Sequence, residues 1–155
     1  SAYMLGNGEE VMLAATDLLA ETKVAPELSN EAHYYRAKAY LDAGKVEGAM
    51  DDLKILAKDT RNIYGAEAKY KVAQIYFDAG QTEQAEKEVL DYIEVSTPHT
   101  YWLARSFVLL SDVYMKLGRN LDAKQYLLSL KQNYQADDDI AGMIESRLNK
   151  LNAEN

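Results

Sequence analysis

Hydrophobic residues recur along this chain at intervals of three and four, the spacing of one face of an α-helix. The alternating apolar and polar residues that are typical of strands do not occur, and two prolines interrupt the pattern. The pattern therefore predicts an all-α chain. Its helices are expected at about residues 9–22, 30–43, 46–58, 63–78, 82–93, 99–117, 121–134 and 140–152.

Five landmark residues occur three times at identical internal spacing. A small residue precedes a tyrosine by three, a glycine follows that tyrosine by four, an alanine comes five later and an apolar residue four later still. The sets are Ala37, Tyr40, Gly44, Ala49 and Leu53; Ala73, Tyr76, Gly80, Ala85 and Val89; and Ser111, Tyr114, Gly118, Ala123 and Leu127. They are 36 and then 38 residues apart, which indicates stacked helix pairs.

Each landmark has a physical role in such a pair. The small residues let two helices approach closely, and the glycine takes the left-handed conformation that ends the first helix. The tyrosine is expected to fill the space between adjacent pairs, with its hydroxyl reaching a polar group. Because one pair cannot bury its apolar stripe alone, each must stack on the next.

Short polar residues and prolines mark the expected helix starts. Ser29 or Asn30 is predicted to cap the second helix and Thr82 the fifth. Residues 97–98, a threonine and a proline, predict the start of the sixth, and the acidic residues 137–139 suit the N-terminus of the last. That last helix has one apolar stripe and polar other faces, as expected of a capping helix. The stripe is Ile140, Ile144, Leu148 and Leu151.

The formal net charge of −8 argues against nucleic acid or an anionic membrane as the partner, because either would need a basic surface. The chain has no cysteine, so disulfides and thiolate metal sites are excluded. No run approaches the roughly 18 apolar residues of a membrane span. The composition therefore favours a protein partner.

The sequence contains no complete catalytic or metal-binding pattern. His33 and His99 are 66 residues apart and read as structural or solvated, so no metal is predicted. The residues 137–139 lack the glycine and glutamate of a calcium loop, and no nucleophile or phosphate-binding motif occurs. We therefore predict no cofactor and no enzymatic activity.

The landmarks resemble those of the tetratricopeptide repeat over about residues 30–134. The resemblance implies an α–α superhelix of about eight helices that binds a protein or peptide. The large residue frequent early in the first helix of such repeats is kept at Phe107 but replaced by His33 and Lys69. The expected division is a remnant of a preceding repeat at 1–28, three repeats at 29–62, 63–97 and 98–135, and a capping helix at 136–155.

The resemblance also implies a concave groove lined by the first helices. Its positions fall on Glu31, Tyr34, Lys38, Leu41, Glu67, Tyr70, Gln74, Phe77, Arg105, Val108, Asp112 and Met115. The partner-binding residues predicted among them are Tyr34, Lys38, Tyr70, Gln74, Phe77, Arg105 and Asp112. Some such repeats bind a C-terminal carboxylate with a clamp of lysine and asparagine residues, and this clamp is not reproduced here. The aromatic residues Tyr34, Tyr70 and Phe77 either anchor a partner or pack against neighbouring helices.

Three alternatives stay open. The chain is an interaction module, a fragment that serves as an architectural spacer in a longer solenoid, or part of an enzyme whose catalytic domain lies elsewhere. Self-association through exposed repeat ends is a further expectation. The long second linker and Tyr134-Gln135-Ala136 before the last helix resemble repeat proteins of the bacterial envelope, of the outer-membrane assembly and Tol–Pal-associated type. This second resemblance implies a location in the bacterial periplasm or cell envelope, and a cytoplasmic location stays open.

Overall fold

The computed structural model describes residues 8–20, 26–95 and 97–153. These ranges contain eight α-helices and no strand, which confirms the predicted all-α fold of helical repeats. The helices are α1 Gly8–Ala20, α2 Pro26–Asp42, α3 Val46–Leu56, α4 Ile63–Asp78, α5 Thr82–Glu94, α6 Thr100–Lys116, α7 Asn120–Asn133 and α8 Ile140–Ala153. The predicted end of the first helix near Thr22 lies outside the described ranges. Within them, no helix is both long and apolar enough to cross a bilayer.

The chain forms two compact units, residues 1–72 (unit 1) and 73–155 (unit 2), and their boundary falls within α4. In unit 1, α2 packs against α1 and α3. In unit 2, α6 packs against α5, α7 and α8, and α7 also contacts α8. The central helix of each unit is thus the first helix of a predicted repeat.

The landmark glycines end their helices as predicted. Gly44, Gly80 and Gly118 have φ angles of 75°, 79° and 77°. In each case the residue after the glycine donates its N–H to the carbonyl of the landmark tyrosine, at 2.8–2.9 Å. These bonds are Lys45 to Tyr40, Gln81 to Tyr76 and Arg119 to Tyr114. This is the Schellman arrangement, and it explains the fixed tyrosine–glycine spacing.

The small landmarks are buried as expected. Exposure is 0% for Ala49, Ala85, Ala123 and Ser111, and 1% for Ala37 and Ala73. A larger side chain at any of these sites would overpack a helix junction.

Two landmark tyrosines, which were expected between helix pairs, pack within their own pair. A Cβ on Gly48 of α3 would lie 3.0 Å from the Tyr40 ring, so that ring rests against Gly48. The Tyr114 ring stacks on Tyr126 of α7 at a centroid distance of 5.6 Å. Its hydroxyl is hydrogen-bonded to Glu86 of α5, in the preceding pair. Tyr114 therefore contacts both its own pair and its neighbour.

The helix starts differ from several predictions. α2 begins at Pro26, so Ser29 and Asn30 lie inside the helix and cap nothing at its start. Proline suits this first position because its missing N–H would be unpaired there in any case. The N-cap of α5 is Gln81, whose side chain makes no capping bond, so the prediction for Thr82 is wrong.

The start of α6 differs from the prediction, whereas the start of α8 agrees with it. α6 begins at Thr100, and the Thr97 hydroxyl instead accepts the His99 N–H at 3.1 Å, so residues 97–98 form a turn before the helix. For α8, the Asp138 carboxylate accepts the Ile140 N–H at 2.9 Å, which confirms the acidic start. The predicted stripe of α8 is buried, with exposures of 0–7%.

Candidate functional site

The seven predicted groove residues are divided between the two units. Tyr34 and Lys38 lie on α2 and Tyr70 on the first part of α4, all in unit 1. Four residues belong to unit 2: Gln74 and Phe77 on the last part of α4, and Arg105 and Asp112 on α6. The two sets have different surroundings.

The Tyr34 side chain is held by neighbours in unit 1. Its hydroxyl donates to both carboxylate oxygens of Glu67 on α4, at 3.1 and 3.2 Å, and Lys71 pairs with that carboxylate at 2.8 Å. The Lys38 ammonium lies 5.0 Å from the centroid of the Tyr34 ring, and the Tyr64 ring packs at 4.5 Å. Burial, and then the Glu67 carboxylate, raises the pKa of Tyr34. The chain itself thus satisfies this phenol.

Tyr70 is buried in unit 1, with 7% of its surface exposed. The helix that carries it approaches the end of α3 closely because Gly65 has no side chain. A Cβ at Gly65 would lie 1.8 Å from the Asp59 carbonyl oxygen and 2.6 Å from that of Leu56. Sequence reasoning missed Gly65. Glycine weakens a helix, so a glycine inside a predicted helix indicates a place where another backbone approaches closely.

Unit 1 contains a buried ionic cluster that sequence reasoning also missed. Asp52 of α3 is 1% exposed. Its carboxylate accepts bonds from Arg36 Nε at 2.8 Å and from an Arg36 terminal nitrogen at 2.6 Å, and His33 Nδ1 lies 2.7 Å away. The other terminal nitrogen of Arg36 donates to Thr16 of α1 at 3.3 Å. This cluster connects three helices and is satisfied internally, so we assign it a structural role.

In unit 2, Gln74 and Arg105 bond to nearby side chains. The Gln74 amide donates to Asp78 at 2.8 Å, one turn along α4. Arg105 donates to the Tyr101 hydroxyl at 3.1 Å, and that hydroxyl donates to Asp139, just before α8, at 2.9 Å. These contacts fix the start of α8 against α6.

The remaining two residues, Phe77 and Asp112, line a cavity of about 500 Å³ in unit 2 together with Met115, Lys116 and Lys150. Its volume lies within the range of about 300–1,000 Å³ that is typical of ligand sites. Sequence reasoning missed Lys150, because nothing in the sequence of α8 indicates which of its polar residues faces α6.

Asp112 is held in place by a residue of α8. Arg147 Nε donates to one Asp112 oxygen at 2.7 Å, and a terminal nitrogen of Arg147 donates to the other at 2.9 Å. The two side chains are 23% and 27% exposed. Such two-point pairing fixes the carboxylate and offsets its charge.

A family model for the tetratricopeptide repeat matches residues 31–59, and a second model of the same description matches residues 104–133. The first match covers most of α2 and all of α3, and the second covers most of α6 and all of α7. The chain therefore contains tetratricopeptide repeats at residues 31–59 and 104–133. No curated protein and no solved structure matches it.

Tetratricopeptide repeats indicate a protein–protein interaction scaffold in general, and repeats of this family are typically non-catalytic. The structure explains why His33 replaces the large residue that is frequent at this position of the repeat. The imidazole stands where the repeat often has a large residue, and it bonds to the buried Asp52. Among the residues that the structure describes, no group of three or more acidic or histidine side chains is arranged to hold a metal ion.

Proposed function

We propose that the chain is a non-catalytic scaffold that binds a peptide or a partner domain through the first helices of its repeats. The cavity of unit 2 is the contact surface on which this proposal rests. Three of its five lining residues, Phe77, Asp112 and Met115, stand at positions that the resemblance to the family marks as groove-facing. The other predicted groove residues remain candidates for additional contacts.

The chemistry of the cavity supports binding of a peptide. Phe77 and Met115 offer apolar surface, and methionine adapts its shape to different partners. Asp112, Lys116 and Lys150 offer polar contacts at the same place. A concave site with an apolar wall and a few polar groups is the usual form of a small binding site.

The alternative function is an architectural segment of a longer solenoid whose binding surface lies elsewhere. The contacts in unit 1 favour it. Tyr34 is bonded to Glu67 and Tyr70 is buried, so both aromatic residues predicted there contribute to packing within the chain. A binding experiment on the cavity separates the two functions.

To test the proposal, a random peptide library on phage is selected against the immobilised protein, and enriched peptides are titrated by calorimetry. We expect Phe77→Ala and Met115→Ala each to weaken binding at least about tenfold, because buried anchors dominate such interfaces. The matched control is Leu121→Ala, which truncates an apolar side chain of α7 that is 70% exposed and outside the cavity lining.

Circular dichroism checks that each variant keeps the helicity of the wild type. The proposal is wrong if the selection yields no peptide that binds saturably. It is also wrong if the folded Phe77→Ala and Met115→Ala proteins bind the selected peptides as tightly as the Leu121→Ala protein. Either result leaves the architectural function as the better account.

A further inference from the structure

The cavity of unit 2 has a positive local charge in a chain of net charge −8. Lys116 lies at the end of α6 and Lys150 in the last turn of α8, and both are exposed. Within the described ranges, neither lysine forms an ion pair. The other charged side chain of the lining, Asp112, has both oxygens bonded to Arg147. Two uncompensated cations therefore face the same cavity.

The apolar lining lies beside these cations. Phe77 and Met115 are half-buried and come from α4 and α6. An occupant that matches both features carries negative charge and an apolar group close together. A nucleic acid does not fit, since two lysines on an acidic chain are too few to bind a polyanionic backbone.

We propose that the cavity binds an internal peptide segment in which acidic side chains flank an apolar one. The carboxylates pair with Lys116 and Lys150, and the apolar side chain packs on Phe77 and Met115. Acidic side chains are preferred to a single terminal carboxylate because the cations come from two different helices, and two carboxylates match them. This inference rests on the proposed function and names the chemistry of the partner.

The pairing of Asp112 with Arg147 explains how an acidic peptide can bind beside a carboxylate of the lining. An unpaired carboxylate in the lining would repel an acidic peptide, but the guanidinium offsets its charge with bonds of 2.7 and 2.9 Å. Arg147 thereby leaves the lysines as the charges that an incoming ligand meets. Its role is to position and neutralise Asp112.

The probe is a fluorescent nine-residue peptide, acetylated and amidated, with two glutamates flanking a leucine. Three matched peptides serve as controls. The first has glutamines in place of the glutamates, and the second has alanine in place of the leucine. The third has the glutamines and a free C-terminal carboxylate. Fluorescence anisotropy at low salt should show the glutamate peptide binding about tenfold tighter than the amidated glutamine peptide. This preference should shrink as salt is added.

The variants separate local from overall charge. In Lys116→Ala/Lys150→Ala the preference for glutamate should fall to about onefold, since both counter-charges are gone. The matched control Lys87→Ala/Lys124→Ala makes the same change in net charge on α5 and α7, outside the lining, and should keep the preference. The alanine peptide should bind the wild type more weakly than the leucine peptide.

Several results would overturn the inference. The first is equal binding of the glutamate and glutamine peptides. The second is an equal loss of the preference for glutamate in both double variants. The third is that none of the peptides binds. Tighter binding of the glutamine peptide with a free carboxylate would assign the cavity to a chain terminus instead. Self-association that Lys116→Ala/Lys150→Ala abolishes would assign it to acidic segments of a second copy. If the library peptides still depend on Phe77 and Met115 in any of these cases, the proposed function stands without the charge assignment.

Discussion

Each unit contains an aspartate held at two points by an arginine, and the two pairs differ in burial. Asp52 in unit 1 is 1% exposed and also lies 2.7 Å from His33 Nδ1. Asp112 in unit 2 is 23% exposed and lines a cavity. The same pair chemistry therefore serves internal structure in one unit and lies beside an open surface in the other. Burial, more than residue type, separates a structural pair from one that a ligand can reach.

The partly exposed charged side chains of the two units follow the same contrast. In unit 1 the carboxylate of Glu67 accepts from Tyr34 and pairs with Lys71, so charges and phenol are satisfied by the chain. In unit 2 the cations of Lys116 and Lys150 have no such partner within the described residues. Charged groups that already have partners within the chain gain less from pairing with another protein. This contrast supports the proposal that the partner binds at unit 2.

The largest expected effect comes from removing the buried carboxylate. Asp52→Ala removes a carboxylate that is 1% exposed and leaves Arg36 and His33, which are 20% and 12% exposed, without their shared acceptor. Breaking one side of a buried ion pair costs about 3–5 kcal/mol, so the free energy of unfolding should fall by about that amount. Urea denaturation followed by circular dichroism measures the change.

The matched control is Asp112→Ala, which breaks the more exposed pair with Arg147. Its expected cost is about 1 kcal/mol, because solvent screens that pair. Equal losses in the two variants would show that burial does not distinguish the pairs and would contradict the comparison.

The next largest effect tests the close approach of α4 to the end of α3 at Gly65. Gly65→Ala places a Cβ 1.8 Å from the Asp59 carbonyl oxygen, so α4 must move away from the end of α3. Overpacking of this kind costs about 3 kcal/mol. The thermal midpoint should fall accordingly.

Gly142→Ala in α8 is the matched control, because nothing lies within 4 Å of its added Cβ. Alanine inside a helix is better than glycine by about 0.5–1 kcal/mol, so this variant should be slightly more stable than the wild type. A Gly65→Ala protein as stable as the wild type would mean that the contact between α3 and α4 is looser than the structure gives.

The sequence predicted what depends on periodic local features. Gly44, Gly80 and Gly118 end their helices as expected, and the buried stripe of α8 follows from its spacing. These features depend on residues within a few positions of one another. The all-α repeat fold could therefore be read from the pattern.

What the sequence did not predict depends on contacts between distant residues. Asp52 and Arg36 are 16 positions apart, and Asp112 and Arg147 are 35 apart, and no local pattern pairs them. The same holds for Lys150, which α8 brings to the cavity beside Asp112. The first residue of α2 was also mispredicted, because Ser29 favoured a later cap while Pro26 suits the first turn.

A smaller effect tests whether the Tyr34 contacts stabilise unit 1. Tyr34→Phe removes the bond to Glu67 and leaves the ring in place. The free energy of unfolding should fall by about 1.5 kcal/mol, the lower end of the range for a bond to a charged acceptor, because the bond is only partly buried. In the control, Tyr40→Phe, the lost hydroxyl has no hydrogen bond to a described residue, and the effect should be smaller. Indistinguishable urea midpoints would show that the bond to Glu67 contributes nothing.

The same contacts predict a pH dependence at alkaline pH. Burial and the Glu67 carboxylate raise the pKa of Tyr34 above its ordinary value of 10.0. Below that pH the phenol is protonated in both states and its contribution is complete. As the pH rises further, the unfolded chain loses the proton first, so stability falls. Urea unfolding at about pH 9 to 11 should show a shallower loss in Tyr34→Phe than in the wild type, and parallel curves would contradict the assignment.

The smallest effect concerns the most exposed pair that holds α8. Glu145 and Lys131 join α8 to α7 at 2.6 Å, but the side chains are 50% and 55% exposed. Glu145→Gln should therefore cost only about 0.2–1 kcal/mol, and the difference from the wild type should vanish in about 1 M salt. Asp52→Ala should keep most of its cost at the same salt, because the Asp52 carboxylate is only 1% exposed. If the cost of Glu145→Gln persists in high salt, α8 depends on this ion pair more than its exposure indicates. Burial would then not distinguish the Asp52 pair of unit 1 from the exposed pairs of unit 2.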